Sequence, residues 1–255
     1  MLIGRFLLNG ETRYGIVDGD TVRFLRGNPA TCGVEETGVC AALTGLKALA
    51  PVEPKKIVAV GLNYRDHIAE MDDRTPDDPV LFMKPSTCII GPNDEIVRPE
   101  DSERVDYEAE VAAVIGKRMK NVTPEEAREG VLGFTILNDV TARDIQRKDE
   151  QWTRGKGYDT FAPTGPYINT EFDPREPMKI QAVHNGEMKQ DSTTDLMIFD
   201  PYTLIAFITR CMTLEPGDVV TTGTPSGVGP MLAGDTIEVI VEGIGSLKNP
   251  VVDHK

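Results

Sequence analysis

Cysteine is scarce in this chain, four in 255 residues, and Cys32, Cys40, Cys88 and Cys211 show no C-x-x-C spacing. A disulfide framework is therefore not indicated, and free thiols, most of them buried, are expected. Basic residues are also short, 27 Lys and Arg against 41 Asp and Glu, which leaves a formal charge of −14 and no local run of cations. A phosphate backbone would be repelled, which excludes nucleic acid as a partner. Apolar stretches such as IVAVGL near position 60 and LIAFI near 206 fall far short of the ~18 residues that span a bilayer. Met1 is followed by no charged and apolar leader, so a cytoplasmic protein without membrane contact is expected. Missing too are G-x-S-x-G, H-E-x-x-H, G-x-x-x-x-G-K-[ST] and G-x-G-x-x-G, which removes the usual hydrolase, zincin, P-loop and dinucleotide-binding readings.

What is present is an ordinary globular balance, 40% apolar and 27% charged residues, enough for a sizeable core in one large domain with a small appendage. The first fifty residues read as a meander of IGRFLL, TRYGIV and DTVRFL, broken by Asn9-Gly10 and Asp18-Gly19, two dipeptides suited to type I′ hairpin turns. Pro51 and Pro54 mark a boundary, giving a small β-rich N-terminal domain over 1–52 and a larger domain over 53–255. In the larger part IVAVGL, PVLFMK, YEAEVAAVIG, GFTILNDV, DVVTTG and TIEVIVEG read as strands, and IQAVH and EMKQ as a hairpin around Asn185-Gly186. Two helices have start signals, Thr123-Pro124 with Glu126 in capping-box order and Asp200-Pro201 before YTLIAFITRCM. Strands do not alternate with helices, so a mixed α/β, β-rich roll or sandwich with peripheral helices is favoured over a doubly wound sheet.

The chemistry-bearing residues begin with Asp106-Tyr107-Glu108-Ala109-Glu110. On a strand, i and i+2 share a face, so Glu108 and Glu110 point the same way. At ~5 Å and an effective dielectric of ~20 they repel by roughly 3 kcal/mol, which a cation or a proton must offset. A hard divalent metal does so, and Asp139 in LNDVTARD offers a third carboxylate for Mg²⁺ or Mn²⁺. The structural alternatives are an acidic strand edge in water and a helix N-cap at Asp139. His67 and Glu70 in NYRDHIAE share a helical face, as a general-base pair or as a surface contact. The acidic EMDDRTPDDP that follows is a mobile lid or a solvated loop. Lys156 stands between Gly155 and Gly157, where small neighbours would let a ligand approach. Arg143 and Gln146, three apart, would with Lys156 bind a substrate carboxylate, though each alone is also an ordinary surface residue. Thr224, in the turn TTGTPSGVGP, offers a hydroxyl or merely belongs to a tight turn.

Together VGLNYRDHIAEM, FMKPST, IIGP, DYEAEVAAVIGK, NDVTARDIQ, QWTRGKGYDTFAPTGP, the NGE hairpin and TGTPSGVGP resemble the fumarylacetoacetate hydrolase family over roughly residues 53 to 250. The N-terminal 1–50 look like the small appendage of many short bacterial and archaeal members. The resemblance implies a distinctive mixed β-roll, usually a homodimer, with one Mg²⁺ or Mn²⁺ held by Glu108, Glu110 and Asp139. His67 and Glu70 fall on the histidine and glutamate of the family's lid, and Arg143, Gln146, Lys156 and Thr224 on its ligand-binding groups.

The implied substrates are short 2-oxo acids with a pyruvyl head, and the implied chemistry runs through a metal-stabilised enolate. Acylpyruvate hydrolysis or oxaloacetate decarboxylation is the first expectation, with QWTRGKGYDTFAP resembling the decarboxylase and dienoate-isomerase branch. Isomerisation of 2-hydroxyhepta-2,4-diene-1,7-dioate or 5-carboxymethyl-2-hydroxymuconate type comes second. A sugar-acid dehydratase and a non-catalytic dimer that binds a dicarboxylate or metal remain alternatives. The group beyond C4 of the substrate is not readable from these motifs.

Overall fold

The N-terminal meander of the computed structural model, which describes residues 1–71 and 75–254, consists of β1 (Leu2–Leu8), β2 (Glu11–Asp18) and β3 (Thr21–Leu25). The first turn is Asn9-Gly10, with both residues at positive φ, 52° and 82°, as a type I′ turn requires. The second lies one residue later than expected. Asp18 pairs with Thr21, so Gly19 and Asp20 form the loop, and of these only Gly19 has positive φ, 57°. Asp18 thus closes the ladder instead of opening the turn. A short α1 (Pro29–Cys32), β4 (Glu36–Ala42) and β5 (Lys47–Leu49) complete this region.

The chain continues through β6 (Ile57–Gly61), α2 (Arg65–Met71), β7 (Val80–Lys84), β8 (Ile89–Ile90) and β9 (Ile96–Arg98). The acidic stretch expected as a lid or loop includes residues 72–74, which lie outside the described residues. YEAEVAAVIG, expected as one strand, is divided at Glu108 between β10 (Val105–Tyr107) and β11 (Ala109–Ile115). Helix α3 (Pro124–Gly130) begins with the reciprocal capping box. Glu126 N donates to Thr123 Oγ1 at 3.3 Å and Thr123 N to a Glu126 carboxylate oxygen at 2.8 Å. Next come β12 (Val131–Asn138), β13 (Thr141–Ala142), α4 (Arg143–Lys148), α5 (Thr153–Lys156), β14 (Ala162–Asn169) and the hairpin β15 (Lys179–His184) and β16 (Glu187–Thr193). Helix α6 (Pro201–Cys211) is capped by Asp200, which accepts from Tyr202 N and Thr203 N. The chain closes with β17 (Val219–Thr221), β18 (Gly229–Met231), β19 (Thr236–Val241) and β20 (Gly245–Asp253).

The largest sheet runs β4-β3-β2-β1-β14-β12-β11-β17-β6-β7, with β5 added to β1 and β8 to β14. A second runs β16-β15-β19-β20-β9 and a third β13-β10-β18. This is the strand-rich mixed α/β architecture expected. Strand β11 is buried along its whole length, which is why its sequence is an unbroken apolar run and not an alternating one. Val111, Ala113 and Ile115 pack with Ile180 and Val239 of the second sheet and Ile205 and Ile208 of α6. Ala112 and Val114 face the other way, onto Ile3, Ile16 and Ile168. Each fully buried Val or Ile here contributes on the order of 1.5–3 kcal/mol, so the strand that carries Glu110 is held from both sides.

All four cysteines are free, but only Cys88 is buried. The expectation of mostly buried thiols fails because Cys40 lies on the outermost strand, β4, and Cys32 and Cys211 end helices. No helix among the described residues is long and apolar enough to cross a membrane.

Candidate active site

Glu108 occupies the step where the chain leaves the three-stranded sheet for the large one. Its N–H donates to Asn138 Oδ1 at 2.9 Å, its carbonyl accepts from Asp139 N at 2.9 Å, and Ala109 N donates to Gln190 Oε1 at 3.0 Å. Asn138 also pairs with Ala109 across the β11–β12 ladder, which sets Asp139 beside Glu108. Side-chain alternation survives the break between β10 and β11. Glu108, Glu110 and Asp139 each present a carboxylate oxygen within 4.8 Å of the others. They are 5%, 1% and 0% exposed, so the acidic strand edge in water is ruled out. The N-cap alternative for Asp139 fails as well, because α4 starts at Arg143 and its capping residue is Ala142.

Buried cations offset the repulsion. Lys156 Nζ donates to Glu108 Oε2 at 2.8 Å and to Asp139 Oδ2 at 2.6 Å. Arg143 donates through Nη2 to Glu108 and through Nε to Asp106 at 2.9 Å, and its Nη1 reaches Gln146 Oε1 at 2.7 Å. Neither is the ordinary surface residue allowed for above, since Lys156 is 2% and Arg143 6% exposed. Burial alone would lower the Lys156 pKa, but Asp139 and Glu108 raise it. Burial likewise works against ionised Glu108, yet Lys156 and Arg143 outweigh it and hold that carboxyl well below the usual range. Glu110 goes the other way, pushed well above the usual value by burial and then by Asp139 and Glu108.

Sequence reasoning passed over two members of this cluster. Lys84, fully buried at the end of β7, donates to Asp139 Oδ1 at 2.5 Å and to Val140 O at 3.1 Å. Asp106, the first acid of DYEAE, accepts from Arg143 and from Arg104 Nε at 2.8 Å. A signal for Lys84 exists, a charge closing the otherwise apolar strand VLFMK. For Asp106 it is the i−2 spacing from Glu108.

The carboxylates face a cavity of about 320 Å³ lined by His67, Glu108, Glu110, Arg143, Gln146, Lys156 and Thr224, with Phe82, Trp152 and Arg147 among its other walls. Asp139 lies behind its surface. His67 and Glu70 are both on α2, with His67 Nδ1 3.5 Å from Glu70 Oε2, too far for a well-formed hydrogen bond. Glu70 accepts from Gly227 N at 3.0 Å. Asp66 accepts from His67 N at 2.8 Å, Ser192 Oγ at 2.9 Å and Ser226 Oγ at 3.2 Å. Strand β16, through Ser192, and the loop between β17 and β18, through Ser226 and Gly227, thereby hold the helix at the cavity. Thr224 Oγ1 accepts from Gln190 Nε2 at 2.9 Å. Its loop needs Gly227, whose φ is +93° and where a Cβ would meet Lys189 O at 2.1 Å. The glycines beside Lys156 serve packing, not ligand approach. A Cβ on Gly155 would meet the α4 backbone at Gln146 N, 2.9 Å, and one on Gly157 would meet Thr153 O, 2.4 Å.

This donor set fits a hard divalent cation: three buried carboxylate oxygens converge, and no soft ligand stands among them. Glu110, the member whose pKa is raised, accepts from the neutral Gly223 N at 3.1 Å, so it gains most from an added positive charge. Four buried carboxylates, counting Asp106, face the buried cations Lys84, Lys156 and Arg143. A divalent ion would turn that balance positive and suit an anionic ligand.

The family described as fumarylacetoacetate (FAA) hydrolase C-terminal matches residues 56–252, and Rv2993c-like, N-terminal, matches residues 1–51. The chain is 44% identical over 265 residues to Protein Rv2993c of Mycobacterium tuberculosis, covering 99% of this chain and 98% of that one. It is 42% identical over 222 residues to the mitochondrial oxaloacetate tautomerase fahd2 of Xenopus laevis, covering 82% of this chain and 69% of the other. Among solved structures, 5-carboxymethyl-2-hydroxymuconate delta-isomerase from Mycobacterium smegmatis superposes with a TM-score of 0.93 at 43% identity, covering 100% of both chains.

Proposed function

Because the chain belongs to the fumarylacetoacetate hydrolase family, we propose that it is a divalent-cation-dependent enzyme that interconverts short anionic 2-oxo acids with their enol or conjugated isomers. The observation that carries this reading is the convergence of Glu108, Glu110 and Asp139 within 4.8 Å behind a cavity that also presents His67, Arg143 and Lys156. At about 320 Å³ the cavity lies at the small end of ligand sites, which suits a short ligand. The names borne by the tautomerase and the isomerase above support proton transfer over bond cleavage.

In this reading Glu108, Glu110 and Asp139 hold Mg²⁺ or Mn²⁺, which when bound supplies the Lewis acidity that favours an enolate. Lys156 and Arg143 hold Glu108 ionised and add positive charge where the substrate carboxylate arrives. Gln146 and Thr224 orient that carboxylate by hydrogen bonding. His67 takes a proton from C3 of the substrate and returns it to oxygen or to a conjugated carbon, with the Glu70 carboxylate 3.5 Å from its Nδ1 attracting the ring once it carries that proton and closing to a hydrogen bond when substrate is held.

A second reading keeps the same residues but cleaves a C–C bond, by acylpyruvate hydrolysis or oxaloacetate decarboxylation. The 40% exposure of the Glu70 side chain favours its hydrolytic form, since water then has access to the His67 pair. Proton NMR in D₂O separates the two readings with oxaloacetate, an acylpyruvate and a 2-hydroxy-dienoate, with Mg²⁺ and a Glu108→Gln control. Metal-dependent C3 exchange or diene shift without cleavage supports the first reading. Pyruvate formation moves the assignment to cleavage, and no change in any substrate overturns both.

A further inference from the structure

Among the cations lining the cavity, Lys156 and Arg143 are spent on carboxylates, whereas Arg147 is exposed and makes no ion pair with a described residue. Arg143 and Arg147 lie four apart on α4, so their side chains leave the same helical face one turn apart. Arg143 points its guanidinium inward to Glu108 and Asp106, which leaves Arg147 at the solvent end. The wall is aromatic. Phe82 and Trp152 meet edge to face with centroids 5.2 Å apart, and Trp152 lies so close over Gly61 that a Cβ there would be 2.7 Å from its ring.

The cavity therefore has a charged inner end, an aromatic wall and a cationic rim. Resting on the function proposed above, we infer that Arg147 binds the distal carboxylate of the substrate, so that the preferred class is 2-oxo dicarboxylates over 2-oxo monocarboxylates. A guanidinium forks onto a carboxylate with two parallel hydrogen bonds. The placement also answers an electrostatic difficulty. A chain of net charge −14 repels a dianion at long range, and an uncommitted guanidinium at the cavity mouth supplies the local attraction.

The test compares oxaloacetate with 2-oxobutanoate, which has the same carbon number and carries a methyl group in place of the distal carboxylate. Calorimetric titration of the Mg²⁺-loaded protein gives affinities, and NMR exchange of the C3 hydrogens gives turnover. Wild-type protein is expected to prefer oxaloacetate, and Arg147→Gln to cut that preference about tenfold or more, the scale of a hydrogen bond to a charged group, while leaving 2-oxobutanoate unchanged. Arg147→Lys is expected to restore part of it. A preference that Arg147→Gln leaves intact, or equal losses for both ligands, overturns the inference while the proposed function stands. Binding with neither C3 exchange nor a shift of the 2-hydroxy-dienoate signals overturns the proposed function, and the affinity ratio still decides the role of Arg147. Failure of wild-type protein to bind either ligand overturns both.

Discussion

Glu108 and Glu110 stand two residues apart in one carboxylate cluster and are driven toward opposite protonation states. Lys156 and Arg143 keep Glu108 ionised against burial, while burial, Asp139 and Glu108 itself favour the protonated form of Glu110. The asymmetry comes from where the cations end. Lysine and arginine side chains from α5 and α4 reach Glu108, whereas Glu110 accepts from the neutral backbone of Gly223.

The two glutamates are consequently not equivalent in the metal-free protein. Glu108→Gln leaves buried Lys156 and Arg143 short of a counter-charge and is expected to cost about 3–5 kcal/mol. Glu110→Gln removes a carboxyl that is already disfavoured as an anion and is expected to leave stability unchanged or raise it. Both variants should lose the rise in melting temperature that Mg²⁺ gives the wild type. Thermal denaturation with chelator and with Mg²⁺ checks all three expectations, and equal destabilisation by both substitutions in chelator would contradict the asymmetry.

Lys84 is expected to be as important to folding as any carboxylate. Its fully buried ammonium bonds Asp139 and Val140 O, so Lys84→Met strands Asp139 with one fewer cation at a cost of about 3–5 kcal/mol. Combining it with Asp139→Asn should recover part of that loss. Urea unfolding of the two single variants and the double variant measures the coupling, and strictly additive losses would show that the pair does not act as a unit.

Asp66 holds α2 to the rest of the fold through Ser192, Ser226 and the His67 amide. Asp66→Ala is expected to speed hydrogen exchange of the α2 amides by about tenfold or more, the scale of a charge-assisted bond. Ser226→Ala should have a smaller effect, while the amides of β11 should not change. Exchange in α2 that matches the wild type would show that the hydroxyl contacts do not restrain the helix.

Acid sensitivity has an identifiable source away from the cluster. Asp235 accepts from Leu232 N at 2.7 Å, Asn185 Nδ2 at 2.7 Å and His184 Nε2 at 2.8 Å. Burial opposes its ionisation, but these bonds outweigh burial and lower its pKa. A carboxyl whose folded pKa is depressed contributes stability above its unfolded value, about 3.9, and that contribution is lost as pH falls through the folded value. Asp235→Asn should therefore be less stable than wild type near pH 6, with the gap closing toward pH 3. Urea unfolding across that range tests it, and a gap independent of pH would assign the effect to shape instead of charge.

Local features of the chain were the legible ones. Asn9-Gly10, Asn185-Gly186, the Thr123 capping box and the Asp200 cap each depend on neighbours in sequence, and each is found. Strand parity also brought Glu108 and Glu110 together, because a period of two survives the break at Glu108. Strand β14 was not readable, since Pro163, Gly165 and Pro166 break the usual strand pattern, although it lies at the middle of the large sheet. Lys84 and Asp106 escaped for a different reason. Their partners, Asp139 and Arg143, are 55 and 37 residues away, and only the fold sets them side by side. The aromatic wall and Arg147 were likewise invisible, because a helix face acquires a cavity only when β7 and α5 are placed opposite it.

The pairing of Leu2 and Ile3 with Asn169 and Ile168 makes the N-terminal meander a guard rail for the sheet. It occupies a flank of β14 whose amides would otherwise offer a template to any passing strand, and it covers Ile168, now 1% exposed. An exposed apolar strand flank invites self-association. Trimming residues 1–51 would therefore be felt first as stickiness, with intermolecular strand addition starting one strand away from the one that ends beside Asp139.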